Sequence, residues 1–354
     1  MTRKIVKTAF PYVVAVVLLV YVIWKNWRPD DGRGLEYVWN KFVIEEQPIP
    51  HPGYWLLAVV MWLAGILLTF IRWYFLVRAV GLPFTIPDSL RLGLVGNFFN
   101  SFMPGSVGGD IFKAAFIARE QDRRTTAVAT VIMDRLIGLW ALVWFVALLG
   151  AFFWAAGYLQ GEVERTLKSI VVTSIALCGV TLLAWFVLGL LPEHRAQRFA
   201  GRLGATPKVG HALAELWSAF WLYRCRQRSV LLAMAISLVG FVGFTLTYYF
   251  SALTFQESGQ NIPTWQEHFL IIPIGMVFQA FFFLSPGGAG AGEIGFGWLY
   301  KLLNYDKELG VLMSLTQRVI TWMVGLIGYL VYLRMRPGLQ KEKIMSSGEP
   351  PASA

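Results

Sequence analysis

Residues 98–118 read FFNSFMPGSVGGDIFKAAFIA, and residues 281–300 read FFFLSPGGAGAGEIGFGWLY. Each stretch carries an aromatic lead-in, a Pro-Gly pair, a run of small residues, and an acid followed by isoleucine: Asp110-Ile111 and Glu293-Ile294. Asp134-Arg135 begins 24 residues after Asp110, and Gln317-Arg318 begins 24 residues after Glu293, so one offset of 183 aligns all three features. Proline ends a half-helix and glycines permit the turn that follows. The acid then stands near the start of the next half-helix, where free backbone N–H groups favour an anion. The same position also suits a simple helix cap. Both stretches, near 91–117 and 266–300, read as re-entrant hairpins, which survive in a bilayer only where protein or a wet cavity covers their backbone.

The surroundings of these two stretches are hydrocarbon-like. The 354 residues are 56% hydrophobic and 15% charged, against about 45–50% and about 25% in soluble domains. A conventional soluble enzyme and a disordered chain are both excluded. Apolar runs lie near 9–24, 54–77, 125–156, 169–191, 230–255 and 309–333, each suited to cross about 30 Å of hydrocarbon. The first follows MTRKIVK and precedes WKNWRPDD, with no small-residue cleavage site, so it reads as an uncleaved span. The expected fold is all-α: six full spans plus two hairpins in one membrane domain, 1–337, with a polar tail, 338–354. Its halves, 9–157 and 168–334, would have opposite topology, an arrangement that recurs in secondary transporters.

Charge supplies the orientation. The basic residues behind the net charge of +10 lie between apolar runs, which points to an anionic inner-leaflet surface and away from nucleic acid. With the N-terminus cytoplasmic, the inner segments hold 20 Lys and Arg and the outer ones 8. The positive-inside rule places both termini in the cytoplasm. Val209, Leu213, Leu216, Trp217 and Phe220, followed by Arg224, Arg226 and Arg228, read equally as an amphipathic interfacial helix or as a solvated connector helix. Oligomerisation is left open.

Ionisable side chains within spans cost about 2.5–3.5 kcal/mol each on insertion scales, so a functional role is their default reading. Three cations and three anions qualify: Arg72, Arg135, Arg318, Asp110, Asp134 and Glu293. Pairing that merely staples hairpins to helices is the competing explanation. The expected substrate-binding set is Asn97, Asn100, Gly105, Gly108, Gly109, Asp110, Lys113, Asp134, Arg135, Gly287, Gly288, Gly290, Gly292, Glu293, Gln317 and Arg318, with Pro104 and Pro286 as hinges. Gln279 reads as an interhelical hydrogen-bonding residue. No cofactor is expected, and His51, His194, His211 and His268 match no zinc spacing. Cys178 and Cys225 do not suggest a disulfide framework.

NFFNSFMPGSVGGDIFKAAFIARE (97–120), MDRLIGL (133–139) and LSPGGAGAGEIG (284–295) resemble the lysylphosphatidylglycerol synthase transmembrane-region family, also called the flippase-like domain family. The resemblance implies an inner-membrane protein that moves lipids between leaflets. Two-domain members handle aminoacylated phosphatidylglycerol; stand-alone members are linked to polyprenyl-linked sugars, glycolipids and hopanoids. This chain resembles the stand-alone type, without the aminoacyl-transferase domain. A translocase for a lipid with an anionic or zwitterionic head group is therefore expected. Two alternatives remain. One is a lipid-modifying enzyme, such as a polyprenyl-phosphate-dependent glycosyltransferase, using Asp30, Asp31 or Glu36. The other is a scaffold acting through Arg224, Arg226 and Arg228.

Overall fold

An apolar run in hydrocarbon satisfies its backbone by closing every N–H···O bond within a helix. The computed structural model describes residues 2–28, 34–103, 108–121, 123–158, 162–190, 192–205, 210–257, 259–281 and 285–347, and the regular structure among them is entirely helical. The helices are α1 (Thr2–Lys25), α2 (Leu35–Trp39, continued by a π turn over Asn40–Ile44), α3 (Pro52–Ala79), α4 (Ile86–Phe102) and α5 (Gly108–Glu120). Then come α6 (Arg124–Ala155), α7 (Glu162–Leu190), α8 (Glu193–Gly204), α9 (Gly210–Arg224) and α10 (Gln227–Thr254). The last three are α11 (Trp265–Phe281), α12 (Ala291–Leu302) and α13 (Lys307–Ser347). Among the described residues five helices are long and apolar enough to cross a membrane: α3, α6, α7, α10 and α13. The expected first span falls in α1, whose Tyr12–Lys25 stretch is a shorter apolar helix.

The two glycine-rich stretches are broken helices folded back on themselves. In the first, Gly96 of α4 faces Lys113 of α5, and Asn100 faces Gly109, so the pair is antiparallel. A Cβ on Gly109 would sit 1.9 Å from the Gly96 carbonyl oxygen, so the approach admits no side chain there. In the second, Gly275 of α11 faces Phe296 of α12 and Gln279 faces Gly292, again antiparallel. A short 3-10 turn over Pro286–Gly288 enters α12. Gly287 (φ +57°), Gly288 (φ +68°) and Gly290 (φ +85°) take left-handed backbone conformations that residues with a Cβ adopt at a cost. Pro104 and Gly105 lie outside the described residues.

Small residues set how closely the long helices approach, as expected where lipid tails provide no hydrophobic drive for helix association. α3 and α10 run antiparallel: Tyr54 stacks on Phe250, Gly65 lies against Gly243, and Arg72 meets Ser237. A Cβ on Gly328 of α13 would come within 2.1 Å of the Leu94 carbonyl oxygen on α4. Central to the bundle is α6, which touches α3, α5, α7, α9, α10 and α11. One buried cluster gathers Trp73, Leu76, Met133 and Tyr223; another gathers Tyr248, Phe296, Tyr300 and Met313.

The interfacial helix differs from expectation. α9 buries Ala219 and Tyr223, and the Tyr223 hydroxyl donates to the Leu76 carbonyl oxygen of α3 at 2.9 Å. It is therefore packed into the bundle. The amphipathic element is α8, which exposes Arg195, Arg198 and Arg202 while burying Ala196. Trp217 of α9 locks the two together by donating to the Ala196 carbonyl oxygen at 2.9 Å.

Candidate functional site

Three helices supply one chain of alternating charge. Arg72 of α3 donates from Nε to Asp134 Oδ1 of α6 at 2.7 Å and from a guanidinium nitrogen to Ser237 of α10 at 2.9 Å. Lys113 of α5 lies 3.9 Å from Asp134 Oδ2 and 3.5 Å from Asp110 Oδ1. Its ammonium also sits 4.9 Å from the centroid of the Trp73 ring, a cation–π contact. Arg135, the next residue on α6, closes the chain by donating to Asp110. The order is Arg72, Asp134, Lys113, Asp110, Arg135. Each carboxylate lies between two cations, which offsets the large cost of removing either from water.

The second hairpin holds a shorter, deeper pair. Arg318 of α13 donates to both oxygens of Glu293, and to the Gly287 and Gly288 carbonyl oxygens at 3.3 and 3.4 Å. Glu293 has no exposed surface. Its second oxygen also accepts the Gly290 N–H at 2.8 Å, so it caps α12. In the first hairpin Asn100 Oδ1 accepts the Gly109 N–H at 2.8 Å, and Asp110 faces Lys113 and Arg135 at the cavity wall, a less enclosed setting than that of Glu293. The difference shows in exposure, 34% for the Arg135 side chain against 6% for Arg318.

Between the two sets lies a cavity of about 400 Å³, lined by Arg72, Asn97, Asn100, Asp110, Lys113, Asp134, Arg135, Gly287, Gln317 and Arg318 among others. Nine expected site residues thus come together on one surface, joined by Arg72, whose charge but not whose place in the site the sequence marked. Gly108, Gly109, Gly288, Gly290 and Gly292 lie against Met103, Gly96, Gln279, Leu18 and Gln279 respectively. Glu293 stands behind Arg318. Gln279 donates to the Gly287 carbonyl oxygen at 3.2 Å, and Tyr248 links it to Gln317.

The electrostatics of the cavity are unbalanced. Among the described residues, Arg72, Lys113, Arg135 and Arg318 are four cations, while Asp110, Asp134 and Glu293 are three anions. Two further donors in its wall, Trp62 Nε1 and Asn97 Nδ2, are buried with no hydrogen-bond partner among the described residues. A buried donor without an acceptor costs about 1–3 kcal/mol. The excess cation among the described residues suits an anion rich in acceptor oxygens. Sequence reasoning missed Trp62 and Thr69, which line the cavity, and Ser237 and Tyr248, which bond to lining residues; none carries a periodic or motif signal.

Elsewhere the chemistry is quieter. Glu36 is paired with Arg28, whose hydrogen bond holds its carboxyl below the usual carboxylate range. A carboxylate stabilised in this way is a weaker base than a free one. Asp30 and Asp31 lie outside the described residues.

Comparison with known proteins completes the picture. The family described as "Lysylphosphatidylglycerol synthase TM region" matches residues 9–328. The chain is 23% identical over 301 residues to a UPF0104 membrane protein of Pyrococcus horikoshii, covering 79% of this chain and 87% of that one. It is 18% identical over 306 residues to a UPF0104 membrane protein of Methanocaldococcus jannaschii, covering 83% and 88%. No solved structure matches.

Proposed function

The chain belongs to the lysylphosphatidylglycerol synthase TM region family, and we propose that it carries a lipid with a phosphate-bearing, anionic head group between leaflets of the cell's inner (cytoplasmic) membrane. In this reading six spans and two re-entrant hairpins form inverted repeats, 9–157 and 168–334, with both termini cytoplasmic. Alternating access would follow from the two arrangements that such pseudo-symmetry permits.

The observation that carries the reading is the charge imbalance of the cavity between the hairpins: four cations against three carboxylates among the described residues. A lipid phosphate supplies the missing negative charge and several acceptor oxygens. The head group enters by taking Arg135 from Asp110, since that pair is the more exposed of the two. Lys113 then holds Asp110, so the carboxylate is not left alone while the arginine is engaged. Asn97, Asn100 and Gln317 line the same cavity and surround the head group with polar side chains. The acyl chains stay in hydrocarbon. Because the carboxylates restore the ion pairs when the lipid leaves, binding is reversible and release does not strand a buried charge.

The test is leaflet exchange of a fluorescent phosphatidylglycerol in proteoliposomes. Arg135→Ala, at the more exposed pair, should slow it steeply while the protein remains folded, and so should Arg318→Lys, which keeps a charge beside the buried Glu293. Unchanged exchange in both variants rejects the assignment. Formation of a covalently altered lipid, lost in Asp30→Asn with exchange intact, would favour the enzyme alternative.

A further inference from the structure

A second cavity, of about 570 Å³, lies along the same stretch of α6, between α6, α7 and α9, with Leu203 of α8 at its margin. We propose that it holds a hydrocarbon chain of the lipid whose head group occupies the charged cavity; this rests on the reading given above and extends it to the substrate's apolar part.

Three observations support the assignment. The first is chemistry. The walls are apolar side chains, with Trp140 and Trp185 5.8 Å apart in a tilted pair. The one hydroxyl, Thr181, donates to the Leu177 carbonyl oxygen and accepts from Trp140 Nε1 at 2.9 Å. Its polar atoms are thus occupied within the wall, and the groove offers water little.

The second is position. Asp134, Arg135, Gly138 and Leu142 face the charged cavity, while Leu136, Ile137, Trp140 and Val143 face the groove. At 3.6 residues per turn these are adjoining arcs of one helix. They meet at Leu139, which lines both cavities. Head-group site and groove therefore lie at the same height on α6, side by side.

The third is division of labour among the helices. α7 is the least buried of the five long apolar helices, yet Leu177, Thr181, Ala184, Trp185 and Leu188 turn one of its faces to the groove. Filling the groove with a chain gives that face a partner that protein does not supply.

The test uses the full chain in phosphatidylcholine nanodiscs with phosphatidylglycerol bearing a diazirine in one acyl chain. Adducts mapped by mass spectrometry should concentrate on Trp140, Trp185 and Trp217, and excess unlabelled long-chain phosphatidylglycerol should compete them away. Ala184 is exposed to the groove, so Ala184→Trp fills it without entering a packed core; Leu188→Trp is the second variant. Each should weaken long-chain binding about tenfold. Each should leave unchanged the binding of dibutanoyl phosphatidylglycerol, which brings the head group with almost no chain. Adducts spread evenly over the groove and over exposed Leu231 and Val239 on α10, with no competition, mean surrounding bilayer lipid only and overturn the proposal. Failure of the wild-type protein to bind the dibutanoyl lipid overturns instead the head-group reading beneath it.

Discussion

Arg72 and Asp134, 62 residues apart in the chain, meet through a 2.7 Å charge-assisted hydrogen bond with almost no solvent exposure on either side chain. The bond ties α3 to α6, and the second arm of Arg72 reaches Ser237 to bring in α10. Three helices thus converge on one guanidinium, beside the cavity that the charged hairpin also lines.

Removing one member of that pair leaves the other buried without its partner. Arg72→Ala should therefore destabilise the folded protein by about 3–5 kcal/mol. Arg135→Ala, at a partly exposed pair, should cost no more than about 1 kcal/mol. Thermal unfolding in detergent, followed by intrinsic fluorescence, separates the two. Comparable losses would show that exposure does not set the strength of these pairs.

Lys113 stands between two carboxylates and supplies the cavity's excess positive charge. Lys113→Met should weaken binding of phosphatidylglycerol about tenfold, roughly 1.4 kcal/mol, and leave phosphatidylcholine binding nearly unchanged. Native mass spectrometry of lipid-bound protein measures both. Equal losses for the two lipids would mean that the lysine shapes the cavity without selecting charge.

Gly109→Ala should disrupt the first hairpin, because the added Cβ would lie 1.9 Å from backbone on α4. A cost of about 1–3 kcal/mol is expected for such overpacking. Gly53 has nothing within 4 Å of the corresponding position, so Gly53→Ala serves as the neutral control. Melting temperatures of the two variants, measured side by side, check the contrast.

Gly290 combines a φ of +85° with close contact to Leu18 of α1. Gly290→Ala should strain the entry to α12 by about 1–2 kcal/mol and loosen α1 from the second hairpin. Disulfide trapping between cysteines placed on α1 and α12 should fall in this variant. Full trapping would show that α1 is held by other contacts.

Part of the site was legible before any coordinates. The offset of 183 aligned Asp110 with Glu293 and Arg135 with Arg318, and both acid–arginine pairs form, each across 25 residues. Such pairs are readable because an isolated charge in an apolar run is costly and its partner stands at a repeated interval. The two acids nonetheless differ. Glu293 caps its helix and is sealed behind Arg318, whereas Asp110 lies at the cavity wall beside the Asn100–Gly109 hydrogen bond. Lys113 looked like an accessory polar contact; its place between Asp110 and Asp134 depends on the distance between α5 and α6. The interfacial helix was misplaced because α9's apolar residues resemble a membrane-facing stripe, while Tyr223 reveals its neighbour only by bonding to Leu76.

Apolar content, run length and the cost of an unsatisfied backbone made this chain an all-helical membrane protein, and its repeated glycine-rich breaks marked where helices would fold back. Those properties are local, since each depends on residues within one segment and the solvent around it. The pairing of Arg72 with Asp134, the unpartnered nitrogens of Trp62 and Asn97, and the adjoining of the charged cavity and the apolar groove at Leu139 were decided by tertiary packing. Hydrogen bonds and ion pairs act over a few ångströms, and only the close approach of separate helices at residues such as Gly65, Gly109 and Gly328 brings those partners within range.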